Sequence, residues 1–205
     1  MPLPHNWTPR GPRARGIPCL FSSSSSTLRK TAHTVEAISA SRSGDSWVGI
    51  NQTASNRYIE FFLLKGALSR MAKGHLKREV PLGRSRIDFL VGNAYVEVKT
   101  PLITLQAGKG VRTIKRSKFD SFERLIRHMG ELRRSLSAGK RAIIALCYFY
   151  DAKPFRPPPR DKTNSRILDA ARSSQNAGVE RWQVNLRIDR NGVSLIRYFR
   201  SRPYS

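Results

Sequence analysis

Two carboxylates and a lysine flank a tight turn in the stretch RSRIDFLVGNAYVEVK. A Gly-Asn pair at residues 92–93 separates two apolar runs, which predicts a β-hairpin with a two-residue turn. In that register Asp88 lies opposite Glu97, and Lys99, two residues further on, points to the same face. Directly opposed side chains have Cβ atoms about 4.5–5.5 Å apart, so these two negative charges would repel each other.

A third carboxylate joins the row if residues 83–84 also form a two-residue turn, because Glu79 then lies opposite Asp88. Such a row raises at least one carboxyl pKa unless a cation offsets the repulsion. A hard divalent ion with oxygen ligands does so, and Mg²⁺ or Mn²⁺ is the natural candidate. A lysine beside the ion could stabilise charge on a phosphate. The alternative is a solvent-facing row whose acids are neutralised by Arg86 and Lys99.

The charge balance favours a polyanionic partner. The 205 residues include 38 Lys and Arg against 14 Asp and Glu, a net charge of +24. Nucleic acid is the usual partner of such a chain, and a solvated basic surface is the alternative. No apolar run reaches the ~18 residues needed to cross a bilayer, so we expect a soluble protein without a membrane partner. The sequence leaves the oligomeric state open.

The elements that must position these residues alternate between strand and helix patterns. The order is helix, three strands, helix, strand, helix and two strands, which predicts a mixed α/β sheet flanked by helices. We expect the helices near residues 55–71, 119–138 and 164–177, with Gly74 ending the first of them. The apolar run at residues 141–150 predicts a strand that is buried on both faces.

A basic loop is expected between the hairpin and the second helix. Residues 106–118 contain two glycines, five basic residues and no acid. Such a loop suits binding to nucleic-acid phosphates. Its basic residues are Lys109, Arg112, Lys115, Arg116 and Lys118.

The N-terminal region has a different composition. Residues 1–35 contain no acid, and residues 22–26 are all serine. This Ser/Arg/Pro-rich composition is typical of an organelle transit peptide, with a disordered arm or a misread gene start as alternatives. We expect disorder over residues 1–27. A transit peptide would place the protein in a plastid or mitochondrion, and otherwise we expect it in the cytoplasm.

A longer stretch is more specific than an acid followed by Glu-x-Lys. SRIDFLVGNAYVEVKTPLITL resembles the sugar fermentation stimulation protein A (SfsA) family, whose members typically read S-R-I-D-F, a hairpin, then Y-(I/V)-E-V-K. The segments WVGINQTASNR, RHMGELRRSLSAGKRAIIAL, PFRPP and AARSSQNAGVE are similar to further parts of the family. The resemblance covers roughly residues 28–199.

The resemblance implies an OB-like barrel followed by a PD-(D/E)XK domain, the fold of restriction-endonuclease-like nucleases. On that pattern Asp88, Glu97 and Lys99 take the catalytic positions, and the first two bind Mg²⁺ or Mn²⁺. Glu60 and Glu79 match acids that members often carry, which makes them secondary candidates for metal ligands.

On this resemblance we expect most of the barrel to be missing, through truncation, a gene-model error or real loss. Residues 1–27 do not resemble the barrel, so residues 28–45 are expected to be its remnant or a linker. Residues 46–200 are expected to form the SfsA-like PD-(D/E)XK domain.

Two main functions follow from the resemblance. The first is a Mg²⁺- or Mn²⁺-dependent nuclease that hydrolyses phosphodiester bonds of DNA or RNA, with DNA favoured because the family is described as DNA-binding. The second is a non-catalytic DNA-binding regulator of sugar metabolism genes, and a fragment without either activity is a third alternative. The intact carboxylate and lysine set favours the nuclease, because binding a polyanion does not require carboxylates that face the phosphate.

Overall fold

The helices and strands are taken from a computed structural model that describes residues 16–24, 30–39, 41, 44, 46–101, 120–162 and 164–202. Within these residues the strands form two sheets. The small sheet has the antiparallel order β1 (Cys19–Ser23), β2 (His33–Ser39), β3 (Trp47–Gly49). The large sheet runs in chain order: β4 (Leu76–Leu82), β5 (Ser85–Val91), β6 (Ala94–Lys99), β7 (Arg141–Tyr148), β8 (Glu180–Asp189) and β9 (Gly192–Arg200).

Three α-helices accompany the strands in the described part of the chain: α1 (Ser55–Leu64), α2 (Asp120–Ser135) and α3 (Ser165–Asn176). Strands β4, β5 and β6 form an antiparallel meander, whereas β6, β7 and β8 are parallel. Parallel neighbours require crossover connections, and α2 and α3 supply the helices of those crossovers. The predicted mixed sheet with flanking helices is therefore confirmed.

The large sheet separates two apolar clusters. The main core, on the α1 face, includes Ile59 and Phe62 of the helix and Phe89 of β5. The second core, on the α2 face, includes Ile87 and Leu132. Strand β7 contributes buried side chains to both clusters, as its apolar sequence predicts for a strand covered on both faces.

The second and third helices agree with their predicted bounds to within a few residues, but the first helix is shorter than expected. It ends at Leu64 rather than near Met71. Gly66 adopts a left-handed φ of 70°, a conformation that terminates helices. Leu68 and Met71 are nevertheless fully buried, so their apolar spacing reflects packing of the following turns rather than a longer helix.

The predicted disorder of residues 1–27 is wrong for Cys19–Ser23, which form β1. This strand pairs with β2 over five residues, and the half-buried Leu20 packs against the main core. A serine-rich segment carries little local strand signal, because its backbone hydrogen bonds depend on a partner strand ten residues further on. Residues 1–15 and 25–29 lie outside the described residues. The interpretation of residues 28–45 as a barrel remnant stays a prediction.

A backbone hydrogen bond joins the small sheet to the residue that follows β7, since the Gly49 N–H of β3 donates to the Phe149 carbonyl at 3.2 Å. None of the described helices is both long enough and apolar enough to span a bilayer.

Candidate active site

The hairpin that carries the predicted site has the expected register near its turn. Phe89 pairs with Val96, and the pairing continues to the two residues that flank the turn. Gly92 has a φ of 59°, which suits the first position of a tight hairpin turn. This register confirms the turn at residues 92–93.

Strand β5 changes face at Asp88. Regular alternation would place Ile87 and Phe89 on one face of the sheet. Instead Ile87 lies in the second core and Phe89 in the main core. The regular pairing of β5 with β6 also stops at Phe89. The prediction that Asp88 and Glu97 form a regular cross-strand pair is therefore wrong.

At this irregularity the Asp88 side chain accepts two hydrogen bonds. Its Oδ2 accepts the backbone N–H of Val98 at 2.7 Å, and its Oδ1 accepts the side-chain amide of Asn56 at 2.7 Å. Asn56 lies in the first turn of α1. The carboxylate is thus held between the β5–β6 hairpin and the start of that helix.

Glu97 is a buried carboxylate with one satisfied and one unsatisfied oxygen. Its side chain is 2% exposed. Oε1 accepts hydrogen bonds from Lys99 Nζ and His128 Nδ1, both at 2.5 Å. Oε2 is buried and has no hydrogen-bond partner among the described residues. Leaving a buried charged oxygen unpaired is costly unless it serves a ligand.

The two carboxyl groups have opposite pKa shifts. Burial, and then the charge of Glu97, raise the pKa of Asp88 despite the opposing hydrogen bonds from Val98 and Asn56. Burial also acts to raise the pKa of Glu97, but the hydrogen bond from His128 and the charge of Lys99 outweigh it, so that pKa is lowered. The repulsion between the carboxylates indicates that they share one local site.

The neighbours of His128 determine which of its ring nitrogens donates a hydrogen bond to Glu97. Its Nε2 faces the Nε of Arg124, which can only donate, at 3.5 Å. The neutral ring must then carry its hydrogen on Nδ1, and the cation carries one there as well. In either state Nδ1 donates to Glu97.

The donor set suits a hard divalent cation with few protein ligands. Among the described residues, no group of three His, Cys, Asp or Glu side chains is placed to hold a metal. Mg²⁺ is commonly bound by one or two carboxylates, with water and substrate phosphates completing its coordination. The unsatisfied Oε2 of Glu97 is an available oxygen ligand, and Asp88 would be the second carboxylate of such a site.

Comparison with known proteins identifies the family. A model of the "Sugar fermentation stimulation protein RE domain" matches residues 53–192. The chain belongs to the SfsA family. It is 31% identical over 202 residues to a sugar fermentation stimulation protein homolog of Brucella abortus, covering 93% of this chain and 79% of the relative. A homolog from Synechococcus is 30% identical over 183 residues, covering 87% and 72%.

A solved structure shares the SfsA fold. SfsA of Pyrococcus furiosus, in complex with Ca²⁺, superposes with a TM-score of 0.68 and 20% identity, covering 90% of this chain and 77% of that one. At this identity the match supports the fold. The predicted SfsA family resemblance is therefore confirmed, and the region matched by the family model contains Asn56, Asp88, Glu97, Lys99 and His128.

The alternative of a solvent-facing row of acids is wrong for Glu97, which is buried. Glu79 fits that description better, because it is exposed and has a strained φ of 51°. The pairs on either side of Glu79 follow the predicted β4–β5 register, which sets it opposite Asp88. Its role as a metal ligand stays a prediction.

Glu60 lies on α1, the helix that supplies Asn56 to the site. It follows Asn56 by one helical turn, so both side chains project from the same face of α1. Its carboxylate is 3.5 Å from the guanidinium of Arg78. Its role as a metal ligand stays a prediction. The basic loop residues Lys109, Arg112, Lys115, Arg116 and Lys118 lie outside the described residues.

Two residues of the site were not expected from the sequence. His128 lies between Leu125 and Leu132 on the inward stripe of α2, and a buried histidine in such a stripe is a signal that could have been used. Asn56 lies in WVGINQTASNR, one of the segments that are similar to the family, but its contact with Asp88 depends on how α1 packs beside the hairpin.

Proposed function

We propose that this SfsA-family protein is a Mg²⁺- or Mn²⁺-dependent nuclease that hydrolyses phosphodiester bonds, with DNA as its substrate. The observation that carries the proposal is the buried, unsatisfied Oε2 of Glu97 beside Asp88 and Lys99. A protein that only bound nucleic acid would gain nothing from two carboxylates beside Lys99, because negative charges repel phosphate.

Each residue of the site has a separate role in this proposal. Asp88 and Glu97 would hold the divalent ion. When bound, that ion supplies Lewis-acid stabilisation of the charge that develops on the phosphate. The Ca²⁺ in the structure of the Pyrococcus furiosus relative supports a divalent-ion site in this fold.

Lys99 is the residue that contacts the substrate. Its side chain is 29% exposed, whereas that of Glu97 is 2% exposed, so the ammonium group reaches from the buried carboxylate to the surface. A positive charge fixed there stabilises a phosphate most strongly in the transition state. Three further groups keep the carboxylates in place: His128 for Glu97, and Asn56 with the Val98 N–H for Asp88.

Incubation of the purified protein with single- and double-stranded DNA and RNA, in Mg²⁺, Mn²⁺ or EDTA, tests the proposal. We expect cleavage in either metal and none in EDTA, and we expect Lys99→Met to bind the same substrate but cleave it poorly. Binding without cleavage under all conditions would refute the nuclease and favour a regulator.

A further inference from the structure

The segment between β7 and α3 has an unusual composition for an active-site neighbour. Residues 151–162, DAKPFRPPPRDK, contain four prolines and four basic residues. None of them belongs to a helix or strand. We call this segment the basic strap.

Two buried amides hold the start of the strap in place. Gln183 and Asn185 of β8 are both 0% exposed. Gln183 accepts the Phe155 N–H at 2.8 Å and donates to the carbonyls of Ala152 and Lys153 at 3.2 and 3.1 Å. Asn185 donates to the Ala152 carbonyl at 2.7 Å. Buried amides are costly to leave unpaired, so these bonds fix the path of the strap backbone.

The far end of the strap is also attached. Asn164 donates to the Pro159 carbonyl at 2.8 Å and accepts the Asp161 N–H at the same distance. Arg160 forms two hydrogen bonds with Asp169 of α3, at 2.6 and 2.9 Å. The charge of Arg160 is therefore engaged within the fold.

The strap lies on the same face of the sheet as the catalytic residues. Lys99 pairs with Leu146, and Leu146 pairs with Gln183, in two successive parallel ladders. Paired residues of a parallel ladder point to one face, and adjacent strands are about 4.8 Å apart, so Gln183 lies about 10 Å from Lys99. Ala152 and Phe155 pack with Leu146 on this face. The strap thus borders the proposed active site on its β8 side.

Two cations of the strap remain available to a partner. Lys153 and Arg156 are exposed, and their side chains make no hydrogen bond or ion pair with the described residues. Phe155, which precedes Arg156, is anchored, since its ring lies 5.4 Å from the Arg181 guanidinium. A polyanion that reaches Lys99 would meet both charges on a fixed backbone.

We propose that the basic strap is a phosphate-binding surface, and that Lys153 and Arg156 bind the nucleic-acid backbone on the β8 side of the active site. The choice of nucleic acid as the polyanion rests on the proposed function. The fixed backbone is the reason to prefer these two cations over others on a chain with a net charge of +24.

Salt-dependent binding tests this proposal, with a labelled DNA duplex and its single strand in EDTA, so that no cleavage is needed. The parent is compared with Lys153→Gln/Arg156→Gln. The matched control is Lys73→Gln/Lys140→Gln, which also removes two positive charges. It does so at the opposite end of the strands, where the Arg141 N–H donates to the Asn93 carbonyl beside the hairpin turn.

The strap variant should flatten the slope of log K against log salt by about 1.8 on the duplex, because each phosphate that the protein neutralises adds about 0.9 to the steepness of that slope. The control should change the slope little. Equal effects in both variants, no effect in the strap variant, or no binding by the parent would overturn the proposal. A strap effect in a protein that never cleaves would retain this surface and reject the nuclease. Normal metal-dependent cleavage, with equal salt slopes for the strap variant and the control, would retain the nuclease and reject this surface.

Discussion

Replacing His128 by leucine measures how much the hydrogen bond from His128 to Glu97 stabilises the fold. The histidine is 2% exposed and donates to Glu97 Oε1 at 2.5 Å. A hydrogen bond to a charged group contributes about 1.5–3 kcal/mol, and leucine fills a similar volume without donating. We therefore expect the free energy of unfolding to fall by about 2–3 kcal/mol.

A double-mutant cycle separates this effect from the gain in apolar burial that leucine brings. In a Glu97→Gln background the hydrogen bond that is removed no longer has a carboxylate acceptor, so His128→Leu should cost only about 1 kcal/mol. Urea unfolding of the parent, the two single variants and the double variant at pH 7 measures the coupling. Additive costs would refute the pairing.

The same position offers a test of orientation. His128→Asn retains a donor near the place of Nδ1, so it should recover part of the stability that leucine loses. Groups that orient a metal ligand typically change metal affinity by about 10–100-fold. Calorimetric titration with Mn²⁺ should therefore rank the parent above His128→Asn, and His128→Asn above His128→Leu. Equal affinities would limit His128 to a structural role.

Three further perturbations test other parts of the account. Lys99→Met should reduce cleavage about 10²-fold and leave Mn²⁺ affinity nearly unchanged, since lysine is not a ligand of a hard cation; normal cleavage would remove Lys99 from the site. Burial acts to raise the pKa of Glu180, but hydrogen bonds from Arg141 and Trp182 outweigh it and lower that pKa. The stabilisation by ionised Glu180 is therefore present above the unfolded pKa of about 4.3 and is lost as the pH falls through the folded pKa. Urea midpoints measured from pH 6 down to pH 3 should decline less in Glu180→Gln than in the parent. Gly92→Ala should lower the free energy of unfolding by about 1–3 kcal/mol, because the left-handed φ of 59° disfavours a side chain and the added Cβ would lie 2.6 Å from a backbone carbonyl oxygen. An unchanged urea midpoint would mean that the turn relaxes freely.

The hairpin and its turn could be predicted because their signals are local. A Gly-Asn pair between alternating apolar runs determines the register from Phe89–Val96 to the turn. The change of face at Asp88 could not be predicted in this way. It depends on a backbone N–H of the next strand and on Asn56 from α1, which no nearby residue indicates.

The end of α1 and the role of the buried His128 also could not be predicted from local sequence signals. The apolar spacing from Ile59 to Met71 suggested one long helix, but the left-handed Gly66 ends it while the later side chains still pack in the core. His128 was hidden in an apolar stripe that usually means simple packing. Its hydrogen bond to Glu97 becomes apparent only when α2 packs on the sheet and brings the ring to that carboxylate.

The central claim is that Asp88 and Glu97 together bind the divalent ion on which cleavage depends. Calorimetric titration of Mn²⁺ into the parent, Asp88→Asn and Glu97→Gln tests it most directly, because these substitutions keep the side-chain length. Glu123→Gln is a matched control, since Glu123 is an exposed acid on α2 that pairs with Arg166. We expect binding and Mn²⁺-dependent cleavage to be lost in both site variants and retained in the control. Site variants that bind Mn²⁺ and cleave as the parent does would contradict the account.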